Sequence, residues 1–259
     1  RHELGVLTGK SPALGGSLAR TEATGFGTVY FAREMLRAAG GEFDGGRAVV
    51  SGSGNVALYC IKKLQDLGVT VVACSDSGGT VVDPDGLDFD CLRLLKETER
   101  KRLAEYPRLR RRAEFHPGKK PWSIGCDYAF PCATQNELLG EDARALVKNG
   151  CIGVSEGANM PTDLEGVHVF KEAKILYAPG KASNAGGVAV SGLEMSQNSA
   201  RISWKEAELQ QLLKDIMDGI HDRCLEYGDR GGGYVDYVKG ANIAGFKKVA
   251  DAMLAFGVV

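Results

Sequence analysis

The chain has 259 residues, and no apolar run in it approaches the roughly 20 residues that a membrane span requires. The residues given show no signal-peptide pattern. A membrane role is therefore not expected. Net charge is also missing. With 32 basic and 33 acidic residues the balance is −1, which offers no general attraction for nucleic acid or for an anionic surface. Metal-ligand spacing is absent as well. The four histidines (His2, His116, His168 and His221) are scattered, and none of the seven cysteines stands in Cys-x-x-Cys spacing to another. Cys60, Cys74, Cys91, Cys126, Cys132, Cys151 and Cys224 are odd in number, and most lie in apolar runs. Buried, reduced thiols in a reducing compartment are expected, not a disulfide framework or a zinc site. A catalytic Cys132 stays open as an alternative. Internal repeats and low-complexity linkers are lacking too.

The first residue is Arg1, and Thr8-Gly9-Lys10-Ser11-Pro12 reads as the middle of a loop. The chain is expected to be part of a longer protein, some of whose chemistry lies outside it. A cytoplasmic setting is expected, with organellar targeting left open.

What is present is ordinary in bulk: 44% hydrophobic and 25% charged residues, as in a soluble globular protein. A chain this long can bury roughly 70–75% of its unfolded surface. Its organising stretch is Arg47-Ala48-Val49-Val50-Ser51-Gly52-Ser53-Gly54-Asn55-Val56-Ala57. A β-branched run meets two glycines, and a helical pattern follows to Leu67. This is the Gly-x-Gly-x-x-Ala spacing of a dinucleotide-binding turn. Gly52 permits the turn, Gly54 leaves room for a pyrophosphate, and Ala57 lets the helix lie close to the strand. The free amides of the helix's first turn would face the anion. Val69 to Asp76 reads as a second buried strand ending in an acid, 24 residues after Gly52. That is near the expected place of a ribose-binding acid.

Around this unit, residues 1–20 read as a hinge or interdomain segment. Thr21-Glu22 reads as a helix start, and the helical stripe that follows ends at Gly40-Gly41. Gly79 to Gly86 predicts a small strand and turn, and Phe89 to about Tyr106 a charged helix. The basic run Arg108, Arg110, Arg111 and Arg112 reads as a solvated face, with phosphate binding as the alternative. Short strands are expected at 128–131, 151–155 and 174–178, with helices at 141–149 and 163–173 between them. Such alternation predicts an α/β fold: a doubly wound, mostly parallel, Rossmann-like sheet. Its ligand crevice lies beyond the carboxyl ends of the strands. The segments expected there, 52–55, 132–136, 156–161 and 179–187, all combine small residues with amides or hydroxyls. They favour a polar ligand lying across that edge. Helices predicted at 188–204, 205–227 and 242–256 have no strands between them. The expected domains are a dinucleotide-binding unit over 21–190 and additional C-terminal helices over 191–259.

Five motifs carry a family resemblance. They are Gly16-Ser17-Leu18-Ala19-Arg20-Thr21-Glu22-Ala23-Thr24-Gly25, Ser51 to Ala57, Pro131 to Glu137, Glu156-Gly157-Ala158-Asn159-Met160-Pro161, and Asn184 to Met195. Together, and in this order, they resemble the glutamate dehydrogenases of the small hexameric type, along the whole chain. The resemblance implies the cofactor-binding domain with C-terminal helices that return toward an N-terminal domain. That other domain would hold the catalytic lysine and aspartate, so no catalytic residue and no metal site is assigned here.

The resemblance also implies roles. Thr24 would bond the nicotinamide carboxamide, with Asn159 on the same side. Gly52, Ser53, Gly54, Asn55 and Val56 would cradle the pyrophosphate and ribose, and Ala133, Thr134 and Gln135 would line the cofactor. Val188 and Ser191 would receive the side-chain carboxylate of glutamate. Asp76 suits the ribose of NAD, yet Cys74 to Gly79 with Ser77 resembles the NADP-dependent version. Lys96, Arg100, Lys101 and Arg102 could add positive charge, although Glu99 falls near the family's phosphate-binding lysine. NADP is favoured, with NAD as the alternative. The implied reaction is the reversible oxidative deamination of L-glutamate to 2-oxoglutarate and ammonia, by a homo-oligomer, a hexamer by family. A leucine- or phenylalanine-type dehydrogenase and a non-catalytic dinucleotide-binding module are the rival readings.

Overall fold

A computed structural model describes residues 4–257 apart from 44, 230 and 232. The organising strand, β1 (Arg47–Val50), lies inside a seven-stranded sheet. The other strands are β2 (Thr70–Asp76), β3 (Gly79–Val82), β4 (Glu114–Pro117), β5 (Tyr128–Phe130), β6 (Gly153–Ser155) and β7 (Leu176–Ala178). Their order is β4-β3-β2-β1-β5-β6-β7. β1 pairs in parallel with β2 on one side and β5 on the other, and β6 and β7 extend the parallel part. β3 and β4 close the opposite edge as antiparallel strands. The chain leaves β1 toward β2 and later returns to β1's other flank at β5. That reversal opens a crevice at the carboxyl ends of β1 and β5.

Alternation along β1 divides the core between the sheet faces. Ala48 and Val50 pack with α1 (Ala23–Ala38), α2 (Asn55–Asp66) and α8 (Glu206–Gly228). Val49 joins Val72, Ala129 and Val154 beneath α4 (Gly140–Lys148) and α5 (Leu164–Glu172). The seven cysteines are all unpaired, six of them buried and Cys91 half-buried. No helix among the described residues is long and apolar enough to cross a membrane.

α1 is hemmed in on several sides, and glycines at the helix crossings permit this. A Cβ on Gly186 of α7 (Gly186–Ala200) would lie 2.2 Å from the Ala23 carbonyl oxygen, so only glycine allows the two helices to cross there. The glycine pair 186–187 therefore opens a helix, where the sequence pattern predicts a start at Val188. A short helix, α6 (Gly180–Ser183), precedes it.

Other expectations need correction. Thr21 is not the cap: α1 begins at Ala23, and its N-cap, Glu22, makes no side-chain cap bond. The expected helix over 89–106 is broken into α3 (Phe89–Arg93), a wide turn at Leu94–Thr98 and a 3-10 turn at Leu103–Arg108. Arg100 stands between the pieces at φ 54, a left-handed conformation that ends a helix. β4 has no counterpart among the expected strands. The last helix, α9 (Tyr237–Phe256), starts five residues before the expected Asn242, with Asp236 accepting from the Lys239 amide. The basic run faces acids: Arg110 pairs with the buried Asp83, Arg112 with Asp85 and Arg108 with Glu99.

Candidate active-site cleft

The β1–α2 turn is fixed from behind. Gly52 has φ 88, and a Cβ there would sit 3.0 Å from the Cys132 carbonyl oxygen. Ser51 Oγ donates to Glu137 Oε1 (2.7 Å) and accepts from the Cys132 amide (2.9 Å). The Gly52 amide donates to Ser75 Oγ (3.2 Å). Ahead of the turn the surface is bare. Gly54 caps α2 with extended backbone and no side-chain bond. A Cβ on it would meet nothing within 4 Å. Uncapped first-turn amides beside open space are what an anionic group needs.

A cleft of about 790 Å³ opens beside this turn. Val56 joins Ala133, Thr134 and Gln135 along one wall. Thr24, Asn159, Val188 and Ser191 line the other parts. The structure thus brings together the expected nicotinamide-side and substrate-side residues, and Val188 is 72% exposed. Gly52, Ser53, Gly54 and Asn55 form the adjoining turn, and Asp76 and Ser77 lie farther along the edge, at the end of β2.

Two cleft residues were missed as site residues. Arg20 lies four residues before Thr24, within the quoted glycine-rich motif, and its Nε donates to Ser191 Oγ (2.9 Å). A guanidinium beside a hydroxyl is a receptor for a carboxylate. Asn184 donates through Nδ2 to the Ala158 carbonyl (3.1 Å) and to Asn159 Oδ1 (2.8 Å), which orients the Asn159 amide.

Below these loops lie two acids. Glu156 is buried, and its oxygens accept from the Tyr177 hydroxyl and the Gly180 amide, each at 2.6 Å. Ser183 Oγ donates to the Glu156 carbonyl (2.6 Å). Burial pushes the Glu156 carboxyl above the usual carboxylate value, although its donors resist this. Glu137 is raised by burial in the same way, while accepting from Ser51 and the Ala133 amide. Both acids tie loop backbone in place, and neither is among the residues lining the open cleft. Cys132 lines the cleft, with Sγ only 2.6 Å from where a Gly157 Cβ would stand.

The end of β2 is arranged differently. Asp76 Oδ1 accepts from the Gly78 amide (2.8 Å) and Oδ2 from the Leu103 amide (2.9 Å). Each oxygen already holds a backbone donor, so this acid shapes the turn. Beside it Arg102 donates to Ser77 Oγ (2.7 Å). Lys96 donates to the Lys101 carbonyl, and Glu99 is taken up by Arg108 and Lys101.

A doubly wound sheet with a polar cleft at its switch point defines the class: a nucleotide-binding α/β domain carrying extra helices. A profile of the glutamate/leucine/phenylalanine/valine dehydrogenases matches residues 15–257. The chain is 56% identical over its whole length to a glutamate dehydrogenase of Bacteroides thetaiotaomicron, covering 59% of that protein. Across 98% of its length it is 53% identical to an NADP-specific glutamate dehydrogenase of Salmonella typhimurium, covering 57% of it. The crystal structure of Plasmodium falciparum glutamate dehydrogenase superposes with a TM-score of 0.94 at 46% identity, covering 98% of this chain and 55% of that one. The chain belongs to the glutamate/leucine/phenylalanine/valine dehydrogenase family, and it spans a little under three fifths of the length of these curated relatives.

Proposed function

We propose that this chain is the cofactor-binding part of a glutamate dehydrogenase that interconverts L-glutamate and 2-oxoglutarate plus ammonia with NADP(H). The observation that carries the reading is the meeting of the Arg20–Ser191 pair with Thr24 and Asn159 in one cleft, beside the uncapped start of α2. Arg20 and Ser191 hold the distal carboxylate of the substrate. Thr24 and Asn159 hold the carboxamide of the nicotinamide. The first turn of α2 and Gly54 hold the pyrophosphate. When bound, the cofactor accepts a hydride from the substrate's α-carbon. The residues here orient both partners and exclude water as the two domains close.

NADP is favoured by the end of β2. With Asp76 occupied by backbone amides, Ser77 and Arg102 are left to receive a 2′-phosphate. The names of the relatives point the same way. A lysine and an aspartate beyond this chain would supply the acid–base chemistry. A homo-oligomer is supported by the exposed apolar side chains of α9, among them Phe246, Met253 and Leu254.

The test is an assay of the full-length protein with glutamate, leucine and phenylalanine, using each cofactor. Glutamate-dependent reduction of NADP, well above that of NAD, is expected. Absence of glutamate-dependent reduction of either cofactor sinks the reading. Leucine or phenylalanine preferred over glutamate would support the rival dehydrogenases, and no turnover at all the binding-module reading.

A further inference from the structure

Four side chains on one stripe of α7 face the segment that leads into α1. Ser191 takes the Nε–H of Arg20. Three residues on, Glu194 is 0% exposed and collects donors from three residues, Gly9, Lys10 and Ser17. Its Oε2 accepts from the Gly9 amide (3.0 Å), and its Oε1 from the Lys10 amide (3.3 Å) and the Lys10 ammonium (2.6 Å). Further along, Gln197 donates to the carbonyls of Gly15 and Gly16 (3.3 and 3.2 Å), and Asn198 to Gly15 (2.6 Å). Spacings of three and four put these residues on one helix face. The peptide from Gly9 to Arg20 is therefore fastened at its start, middle and end.

Glu194 is the anchor of that fastening. Burial alone would raise its pKa. The Lys10 ammonium and the amides of Gly9, Ser17 and Lys10 outweigh burial and hold the carboxyl below its usual value, so it stays ionised. The Lys10 side chain is itself only 16% exposed. Removing either charge leaves its partner in a poorly solvated place without compensation.

We propose that Glu194 is a positioning residue. Through Lys10 it locks residues 9–20 onto α7, and so fixes the Arg20–Ser191 pair that receives the substrate's distal carboxylate. The proposal rests on the role given to Arg20 and Ser191 above. Any pivot in the first twenty residues then lies ahead of Gly9. A substrate with a neutral side chain does not need the pair, so the clamp governs discrimination between acidic and neutral amino acids. It leaves hydride transfer alone.

The test uses the full-length protein with Glu194→Gln, Lys10→Met and Lys10→Arg. Gln keeps the shape but turns an amide NH2, itself a donor, toward existing donors. Kinetics are measured with glutamate and with norvaline, which lacks the distal carboxylate, alongside cofactor affinity and hydrogen exchange over residues 9–20. Glu194→Gln is expected to raise the KM for glutamate about tenfold or more, with norvaline kcat/KM and cofactor affinity unchanged within about twofold. Exchange over 9–20 speeds up at the same time. Lys10→Met behaves alike, and Lys10→Arg restores both readouts. Where Glu194→Gln does not fold, Lys10→Met carries the same test. Unchanged exchange over 9–20, or an equal fall in kcat/KM for glutamate and norvaline, overturns the clamp. A wild-type enzyme with no preference for glutamate over norvaline overturns the substrate reading instead, and exchange then decides the clamp by itself.

Discussion

The two flanks of β1 reach the cleft by opposite means. On the β5–β6–β7 flank, the loops rest on two carboxylates, the half-buried Glu137 and the buried Glu156, each accepting donors from the chain itself. On the β2 flank, the turn around Asp76 and Ser77 is exposed, and the bond between Arg102 and Ser77 lies in solvent. The first flank fixes shape through carboxylates tied to backbone, Glu156 among them out of reach of water. The second offers charge that water and salt can screen. In the function proposed above, positioning of the reacting parts therefore belongs to the β5–β6–β7 flank, and choice of cofactor to the exposed one.

The sharpest way to break this contrast is Glu156→Ala. It leaves the Tyr177 hydroxyl and the Gly180 amide without an acceptor, and should cost about 3 kcal/mol in urea unfolding. A loss under about 1 kcal/mol would mean that the buried acid does not hold the loops. Arg102→Ala, on the other flank, should leave the urea midpoint unchanged while lowering the preference for NADP over NAD about tenfold. Titration of both cofactors by fluorescence reads that ratio. Between the flanks, Gly54→Ala adds a methyl where nothing lies within 4 Å. Stability should move by about 0.5 kcal/mol or less, with cofactor affinity falling several-fold. If affinity holds, the space ahead of Gly54 is not where the pyrophosphate lies.

The smallest effect concerns pH. Burial lowers the His221 pKa from its usual 6.5, against the opposing pull of Asp222. Nε2 lies 3.0 Å from the Tyr237 hydroxyl, in the seam between α8 and α9. A lowered folded pKa means that the unfolded chain binds the proton first. Stability should be full above about pH 6.5 and fall as the pH drops below it. Burial raises Glu137 and Glu156, so their contribution has the opposite slope: fullest below the unfolded carboxylate value and lost as pH rises through the folded one. Denaturant melts of wild type and His221→Gln from pH 7.5 to 5.5 separate the two. The variant should lose less stability on acidification, and an equal loss would remove His221 as the cause.

Legibility followed the same division. The β1 turn and the four polar loops were readable because apolar strands ending in glycine, amide and hydroxyl leave a local pattern. Other features depended on partners distant in sequence. Arg20 becomes a site residue only because α7 brings Ser191 to it across 171 positions. The break near Arg100 has no local signature, since the Asp76 carboxylate holds the Leu103 amide from another strand. β4 is a short edge strand with neither end buried, so it shows no alternation. The early start of α9 takes in Gly240, a residue that weakens a helical pattern. A Cβ there would stand 2.0 Å from the Cys224 carbonyl oxygen, so the helix takes glycine to lie against α8.

The arrangement of the thiols has a practical consequence. Six of the seven cysteines are buried, and they are spread over both faces of the sheet and into α8. A colorimetric thiol reagent should therefore count about one accessible group in the native chain, Cys91, and all seven once the fold opens. The protein carries its own gauge of unfolding, needing no label, and a partial count would show which layer opened first.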